Sequence, residues 1–221
     1  MDYPTLPSVP IAPQEDRPHG QPGDQIIEHW QFDFWSPEHD LGAWTHLAFD
    51  YSAGFAWYVC ALMGVNRSLT LVVDPAVKIL KLSPYLEFRA EGIWAQHVCE
   101  TPLKHWTVGL EAFGVTLDTP SDAMGDQWGE RTGVGLDVEW EEREAAYETS
   151  EGFAQHCIVT GEVLIDDEVC LLNATGHRNR CWKTAQPPTE LSDAISIRVG
   201  TKKLQLQPAF DSRPWRAQIL E

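Results

Sequence analysis

The fold of this chain is decided by one stretch, Tyr85 to Leu117, which reads YLEFRAEGIWAQHVCETPLKHWTVGLEAFGVTL. Aromatic and β-branched residues are dense in two parts of it, Tyr85–Cys99 and Trp106–Leu117, and such runs are typical of β-strands. Because side chains alternate along a strand, the second part has a polar face and an apolar face: His105, Thr107, Gly109, Glu111 and Phe113 on one, and Trp106, Val108, Leu110 and Ala112 on the other.

Segments of the same kind recur on both sides of this stretch. They are Ile26–Phe34, Trp44–Tyr51, Leu69–Val73, Val134–Trp140, His156–Ile165, Val169–Thr175, Ile195–Val199, Leu204–Gln207 and Trp215–Leu220. An acidic tight turn, Asp166-Asp167-Glu168, predicts that two of them form a hairpin. The run Glu139–Glu148 is compatible with a short helix or with the solvated end of a hairpin. The sequence therefore predicts an all-β fold.

An antiparallel sheet of about eight or more strands must close or fold over itself to hide its edges. We therefore expect a β-barrel or a strongly curved sheet sandwich, and a barrel of about eight strands can hold one small ligand. Residues 1–24 contain six prolines and no apolar period, which predicts an extended Pro-rich arm. Residues 25–221 are expected to form a single domain.

Composition excludes several kinds of partner. The chain has 221 residues and a formal net charge of −17, which argues against nucleic acid and anionic membranes because both attract basic surfaces. The longest uncharged stretch, Tyr51 to Asn66, is 16 residues long, shorter than the about 20 needed to cross a bilayer. The first residues do not have a secretory signal pattern, and the five cysteines form no C-x-x-C pair. We expect a cytoplasmic protein without membrane insertion and with reduced thiols.

Carboxylates on the polar faces of the strands are the first candidates for chemistry. Glu111 lies beside Ala112 and Phe113, whereas Asp137 and Glu139 share one face of another predicted strand. If these faces line the interior, burial raises a carboxyl pKa and makes a general acid. If the Trp, Val and Leu faces line the interior, the carboxylates lie in solvent.

A second candidate cluster is Gly176-His177-Arg178-Asn179-Arg180-Cys181-Trp182. His177 can move a proton near neutral pH, and Arg178 can orient a carboxylate or oxyanion or can anchor one of the many carboxylates of the chain. His97, His105 and His156 lack the short spacing of a zinc site, so no metal is expected. Dinucleotide, P-loop and hydrolase-elbow motifs are absent from the sequence, so no cofactor is expected.

Four motifs carry a resemblance to a known family. They are the succession from Gly92 to Gly114, G-L-D-V-E-W from Gly135, H-C-I-V-T-G-E-V from His156 and G-H-R-N-R-C-W from Gly176. The sequence around them resembles uncharacterised bacterial proteins related to the carotenoid 1,2-hydratase and tocopherol-cyclase-like group. That group looks like a lipocalin-related β-barrel family that also includes fungal Diels–Alderase-type cyclases. The resemblance covers roughly residues 26–185 and implies a lipocalin-like barrel.

The sequence departs from this family in two respects. Relatives usually have two barrel-like halves, so the resemblance implies either a single barrel closed by Ile195–Leu220 or a homodimer that supplies a second half. Relatives carry the pattern G-x-R-D-H-x-W, whereas Asn179 and Arg180 occupy the Asp-His positions here. An amide at position 179 cannot act as the carboxylic acid, and only Gly176, Arg178 and Trp182 match.

These features lead to the prediction of a cofactor-independent lyase or isomerase. Its substrate would be a hydrophobic small molecule, such as an isoprenoid, polyketide or aromatic compound, and its reaction a hydration, dehydration, cyclisation or proton-driven elimination. Candidate catalytic residues are Glu111, His105 and His177, followed by Asp137, Arg178 and His97. Candidate substrate-binding residues are Trp94, Trp106, Trp140, Trp182 and Phe113. The alternatives are a non-catalytic carrier of a hydrophobic ligand and an interaction domain that uses its Pro-rich arm.

Overall fold

The computed structural model describes residues 10–78, 85–124, 127–182, 195–199, 202–207 and 216–220. The strands are β1 Ile27–Ser36, β2 Leu41–Asp50, β3 Phe55–Met63, β4 Thr70–Lys78, β5 Phe88–Ala90, β6 Ile93–Thr101, β7 His105–Leu117, β8 Gly129–Glu142, β9 Tyr147–Glu148, β10 Gly152–Ile165, β11 Glu168–Cys181, β12 Ile195–Val199, β13 Lys202–Gln207 and β14 Arg216–Leu220. Helix within these ranges is limited to two 3₁₀ segments, Pro13–Asp16 and Pro120–Met124. The predicted all-β fold is confirmed.

The main sheet is antiparallel and returns onto itself. Its strand order is β4-β3-β2-β1-β11-β10-β8-β7-β6-β5, with β9 paired to β10. β7 pairs with β6 along its first part and with β4 at its far end, where Thr70 faces Thr116 and Leu71 faces Val115. This pairing joins the two sides of the sheet into a ring of strands, which removes most of the exposed edge. Strands β12, β13 and β14 form a separate three-stranded sheet.

Alternation along the strands sorts side chains between the interior of this strand ring and its outer face. On β1, Trp30, Phe32 and Phe34 are buried in the interior, whereas the residues between them are half-buried on the outer face. On β7, Trp106, Val108 and Leu110 point inward in the same way. These inward residues form one apolar core cluster, so burial of aromatic and aliphatic surface holds the ring together.

Two details of the strands differ from the sequence prediction, and the structure decides a third point that the sequence left open. The sequence analysis missed β3 because both of its faces are buried. Tyr58 and Cys60 lie in the interior, and Val59 lies in a cluster on the outer side. The strand therefore has no alternation of polar and apolar residues. The predicted strand Tyr85–Cys99 is two strands, β5 and β6, joined by a turn at Gly92, whose φ is 73°. The run after Glu139 forms the strand end and turn of a hairpin, which was one of the two alternatives.

The N-terminal segment, residues 10–24 as described, lies against one end of the strand ring, near the β6–β7 turn. Its Asp16 carboxylate is fully buried and accepts hydrogen bonds from Arg178 on β11 and from the backbone of Leu103 in that turn. The part of the predicted arm before residue 10 lies outside the described residues. No helix among the described residues has both the length and the apolar character needed to cross a membrane.

Candidate functional site

A single imidazole lies in the apolar interior of the strand ring. His97 on β6 has no exposed surface, its ring stacks on Phe32 with 5.6 Å between ring centroids, and the edge of Tyr58 approaches it at 5.9 Å. Neither Nδ1 nor Nε2 of His97 has a hydrogen-bond partner among the residues that the structure describes. Both nitrogens are therefore available to a polar group that enters the interior.

Burial fixes the charge of this ring. The loss of hydration lowers the pKa of His97 to about 3, because the apolar surroundings disfavour the imidazolium. The ring is therefore neutral near pH 7, with one nitrogen as a donor and the other as an acceptor. A neutral imidazole with both nitrogens available can donate one hydrogen bond and accept another.

A second buried polar atom lies on the same interior surface. Thr45 on β2 is directly opposite Phe32 on β1 in the strand register, so the two side chains share the inward face. The Thr45 side chain is buried, and its Oγ1 has no hydrogen-bond partner within the described part of the chain. His97 and Thr45 are thus both neighbours of Phe32, and the apolar core gives neither of them a hydrogen-bond partner among the described residues.

Two of the predicted substrate-binding tryptophans line this interior. The rings of Trp106 and Trp140 lie 5.5 Å and 5.2 Å from the ring of Phe32, and both are buried. Their indole nitrogens are already used, since Trp106 donates to Asp16 Oδ2 at 3.1 Å and Trp140 donates to the carbonyl of Asp33 at 3.1 Å. The two indoles can therefore offer only their apolar faces to a ligand.

Arg178, a candidate catalytic residue, is an anchor for the N-terminal segment. Its guanidinium donates to both oxygens of Asp16, at 2.6 and 3.0 Å, and its Nε donates to Gln155 Oε1 at 2.8 Å. The Gln155 amide in turn donates to the carbonyls of Leu103 and Glu144. All three guanidinium nitrogens are engaged by protein groups, so the structure favours the anchoring alternative for Arg178.

Arg180 makes a second buried ion pair at the same end of the ring. It donates to Glu28 Oε2 at 3.0 Å, and its guanidinium lies 4.0 Å from the centre of the Trp30 ring. Trp182, the fourth predicted substrate-binding tryptophan, stacks on His19 of the N-terminal segment with 4.5 Å between ring centroids. Trp182 therefore packs against the N-terminal segment rather than lining the interior.

The predicted inward carboxylates lie on the outer face. Glu111 and Asp137 are exposed, because the neighbouring Leu110 and Leu136 occupy the interior. The prediction that Glu111 and Asp137 face an apolar pocket is therefore wrong. Phe113 is 58% exposed and lies under the guanidinium of Arg131 at 4.0 Å.

Trp94 also belongs to the outer side of the sheet. Its ring lies close to Gly109, and its indole nitrogen donates to Glu87 at 3.3 Å. On the same strand, Ala95 and His97 point inward instead. Trp94 and Phe113 are therefore separated from the interior by the sheet itself.

The remaining candidate histidines lie on the outer face as well. His105 Nε2 is 3.5 Å from Glu139 Oε2, and with Glu141 these groups bring three ligand atoms within 4.8 Å of one another, an arrangement that can hold a cation. His177 is exposed, its Nδ1 is 3.1 Å from Asp33 Oδ1, and its ring lies 4.5 Å from that of His156. The hydrogen bond with Asp33 raises the pKa of His177.

The structure thus brings together only part of the predicted set. His97, Trp106 and Trp140 meet around Phe32, whereas Glu111, Asp137, His105 and His177 lie outside. Sequence reasoning missed the interior role of Thr45, although its parity with Leu47 in a predicted strand was a usable signal. It also missed Asp16, for which no local signal exists.

The fold and its interior define a class: an all-β chain whose sheet closes on an aromatic core, in which His97 has no hydrogen-bond partner among the described residues. The chain belongs to the family described as a domain of unknown function, DUF7064, whose sequence profile matches residues 12–184. This match spans every strand from β1 to β11 and the 3₁₀ segment that carries Asp16. No curated protein and no solved structure matches the chain.

Proposed function

We propose that this protein binds one hydrophobic small molecule inside the strand ring and that His97 hydrogen-bonds the polar group of that molecule. The observation that carries the proposal is the buried imidazole whose two nitrogens lack partners among the described residues. Buried polar groups in proteins nearly always have a hydrogen-bond partner, and an unsatisfied one costs about 1–3 kcal/mol. A ligand group that pairs with His97 recovers this free energy. An apolar residue at position 97 would need no hydrogen-bond partner.

The surroundings of His97 support a hydrophobic ligand. Phe32 and Tyr58 present aromatic surface to His97, and Trp106 and Trp140 pack against Phe32. Apolar burial is the main source of affinity for hydrophobic molecules. The resemblance to the carotenoid 1,2-hydratase and tocopherol-cyclase-like group also favours an apolar ligand in a lipocalin-like interior. We also propose that the protein is cytoplasmic and that it forms a homodimer.

A second candidate function is catalysis of the lyase or isomerase type on the same molecule. The observation that favours it is again His97, because a neutral imidazole in a dry site can donate a hydrogen bond to a substrate oxygen on which negative charge develops. Glu111 and Asp137 are on the outer face, so they cannot reach a substrate in the interior. Of the predicted acid–base residues, catalysis would therefore depend on His97.

Binding is tested with N-phenyl-1-naphthylamine, an uncharged aromatic probe that accepts excitation energy from tryptophan. Because Trp106 and Trp140 border the interior, we expect saturable energy transfer to one bound probe per chain. Replacing Ala95, which is fully buried and inward-facing, by Phe should fill the site and reduce affinity at least tenfold. The matched control, Thr175→Phe, adds the same ring on the exposed side of β11 and should leave affinity unchanged.

The outcomes separate the candidate functions. If the probe fails to saturate the wild-type chain, or binds equally well to a folded Ala95→Phe variant, the binding proposal is wrong and an interior water is the better partner for His97. If the protein is an enzyme, His97→Gln should reduce the turnover of its substrate far more than the affinity for that substrate. For a carrier, the same change alters affinity alone.

A further inference from the structure

We infer that the ligand is uncharged and carries a hydroxyl or carbonyl group, which it places between His97 and Thr45. This inference rests on the proposed function, since it names the chemical class that the same interior site would accept. It is carried by the positions of His97 and Thr45, two buried side chains that lack hydrogen-bond partners among the described residues, and by the ion pairs that Arg178 and Arg180 make.

The two polar groups are both neighbours of one aromatic ring, that of Phe32. His97 stacks on Phe32, and Thr45 lies directly across from Phe32 in the β1–β2 register. Cys60 of β3 is the partner of Thr45 on its other side, and Tyr58, two residues earlier on the same face, contacts His97. A ligand group beside Phe32 is therefore adjacent to both side chains, and we take it to hydrogen-bond both.

The hydrogen-bonding capacity of the patch matches a neutral group. A neutral imidazole supplies one donor and one acceptor, and the Thr45 hydroxyl supplies a rotatable donor and acceptor lone pairs. A ligand hydroxyl can accept from one of these side chains and donate to the other. A ligand carbonyl can accept from both of them.

The charges of the interior disfavour an anion. Among the described residues, buried Arg178 is paired with Asp16 and buried Arg180 with Glu28, so neither offers an unpaired positive charge to a ligand carboxylate. An unpaired carboxylate buried in apolar surroundings is strongly disfavoured. The net charge of −17 adds a general repulsion against anions that approach the chain.

A cation is disfavoured for a related reason. Within the described interior, the buried carboxylates Asp16 and Glu28 are each paired with an arginine, and neither is available to a ligand amine. Protonation of His97 would only add a like charge. The interior polar groups therefore select against either sign of charge and in favour of a neutral ligand.

The test compares three eight-carbon probes at pH 8, where octanoate is ionised: 1-octanol, 2-octanone and octanoate. Each is titrated into the wild-type chain preloaded with N-phenyl-1-naphthylamine, and its affinity is read from displacement of that probe. We expect 1-octanol and 2-octanone to bind at least tenfold more tightly than octanoate. Thr45→Val, which keeps the shape of the side chain, and His97→Phe should each weaken 1-octanol about tenfold, whereas the exposed-side variant Thr175→Phe should leave its affinity within about twofold.

The results distinguish the inference from the proposed function. If octanoate displaces the probe as well as 1-octanol does, or if neither variant weakens 1-octanol, the inference is wrong while hydrophobic binding stands. If N-phenyl-1-naphthylamine itself does not bind the wild-type chain, both are wrong. The comparison of the three probes needs only the wild-type chain, so it does not depend on how well a variant folds.

Discussion

The carboxylate of Asp16 and the guanidinium of Arg178 form a bidentate ion pair, with hydrogen bonds of 2.6 and 3.0 Å between residues that lie 162 positions apart. Both side chains are buried, and Trp106 and Leu103 donate to the same carboxylate. The N-terminal segment is therefore an integral part of the folded body at this end of the strand ring. Arg178 is a structural residue because its hydrogen-bonding groups are occupied.

Asp16→Asn should destabilise the chain strongly. The change leaves the Arg178 guanidinium buried without its counter-charge, and loss of one partner of a buried pair costs about 3–5 kcal/mol. Urea denaturation followed by circular dichroism measures the effect. The control Asp24→Asn changes an exposed carboxylate of the same segment, which accepts a hydrogen bond from the Gln21 backbone, and should cost about 0.5 kcal/mol or less. Equal effects of the two changes would contradict the anchoring role.

Gly176→Ala should also be destabilising, because the sheet leaves no space for a methyl group there. A Cβ at position 176 would overlap the carbonyl oxygen of Asp33 on β1 and approach Val159 Cγ2 at 2.9 Å. Overpacking of this kind costs about 1–3 kcal/mol. Gly133→Ala is the matched control, since its nearest neighbour would be Asp166 Oδ1 at 3.6 Å. Thermal melts of both variants should show a lower Tm for Gly176→Ala only, and an unchanged Tm there would refute the predicted overlap.

Stability should fall as the pH falls from 6.5 towards 3, in part because of His97. The folded state keeps His97 neutral down to about pH 3, whereas the unfolded chain takes up the proton near pH 6.5. The unfolded state therefore binds more protons in this window, and each pH unit removes about 1.4 kcal/mol per such histidine. His97→Phe should lose less stability than the wild type between pH 6.5 and 4 in urea melts. Parallel curves for the two proteins would contradict the buried neutral state.

His177 should act in the opposite direction. Its hydrogen bond with Asp33 raises the pKa in the folded state, so its stabilising contribution is fully present below pH 6.5 and is lost as the pH rises through the folded-state value. His177→Asn should therefore reduce stability more at pH 6 than at pH 9. Two-dimensional NMR of the imidazole ring gives the pKa of His177 directly. A value at or below 6.5 would show that the Asp33 contact is absent in solution.

The sequence predicted the strands better than it predicted the site. Alternation in segments such as Trp106–Leu117 is a local signal, and it identified both the all-β fold and the two faces of β7. It failed for β3, because a strand covered on both sides has no polar face to mark it. Gly92 was read as part of one long strand, although a positive φ there makes the turn between β5 and β6.

Choosing which face of a strand points inward needed information that one strand does not contain. Glu111 and Trp106 lie on opposite faces in either arrangement, and which face is inside follows from the packing of Trp106 against inward residues of other strands in the closed ring. The pairing of Asp16 with Arg178 is equally invisible, because ion pairs between distant segments leave no local pattern. His97 was selected as a candidate residue, but its lack of partners among the described residues depends on the whole core.

The central claim, that a ligand enters the strand ring and contacts His97, is tested most directly by ¹⁵N NMR of the histidine rings during a titration with 1-octanol. The spectrum of His97→Phe assigns the His97 signals, and His177 on the outer face serves as an internal control. The account predicts that the Nδ1 and Nε2 signals of His97 shift with the saturation curve that probe displacement gives, while those of His177 stay in place. His97 signals that do not move at saturating 1-octanol would contradict it.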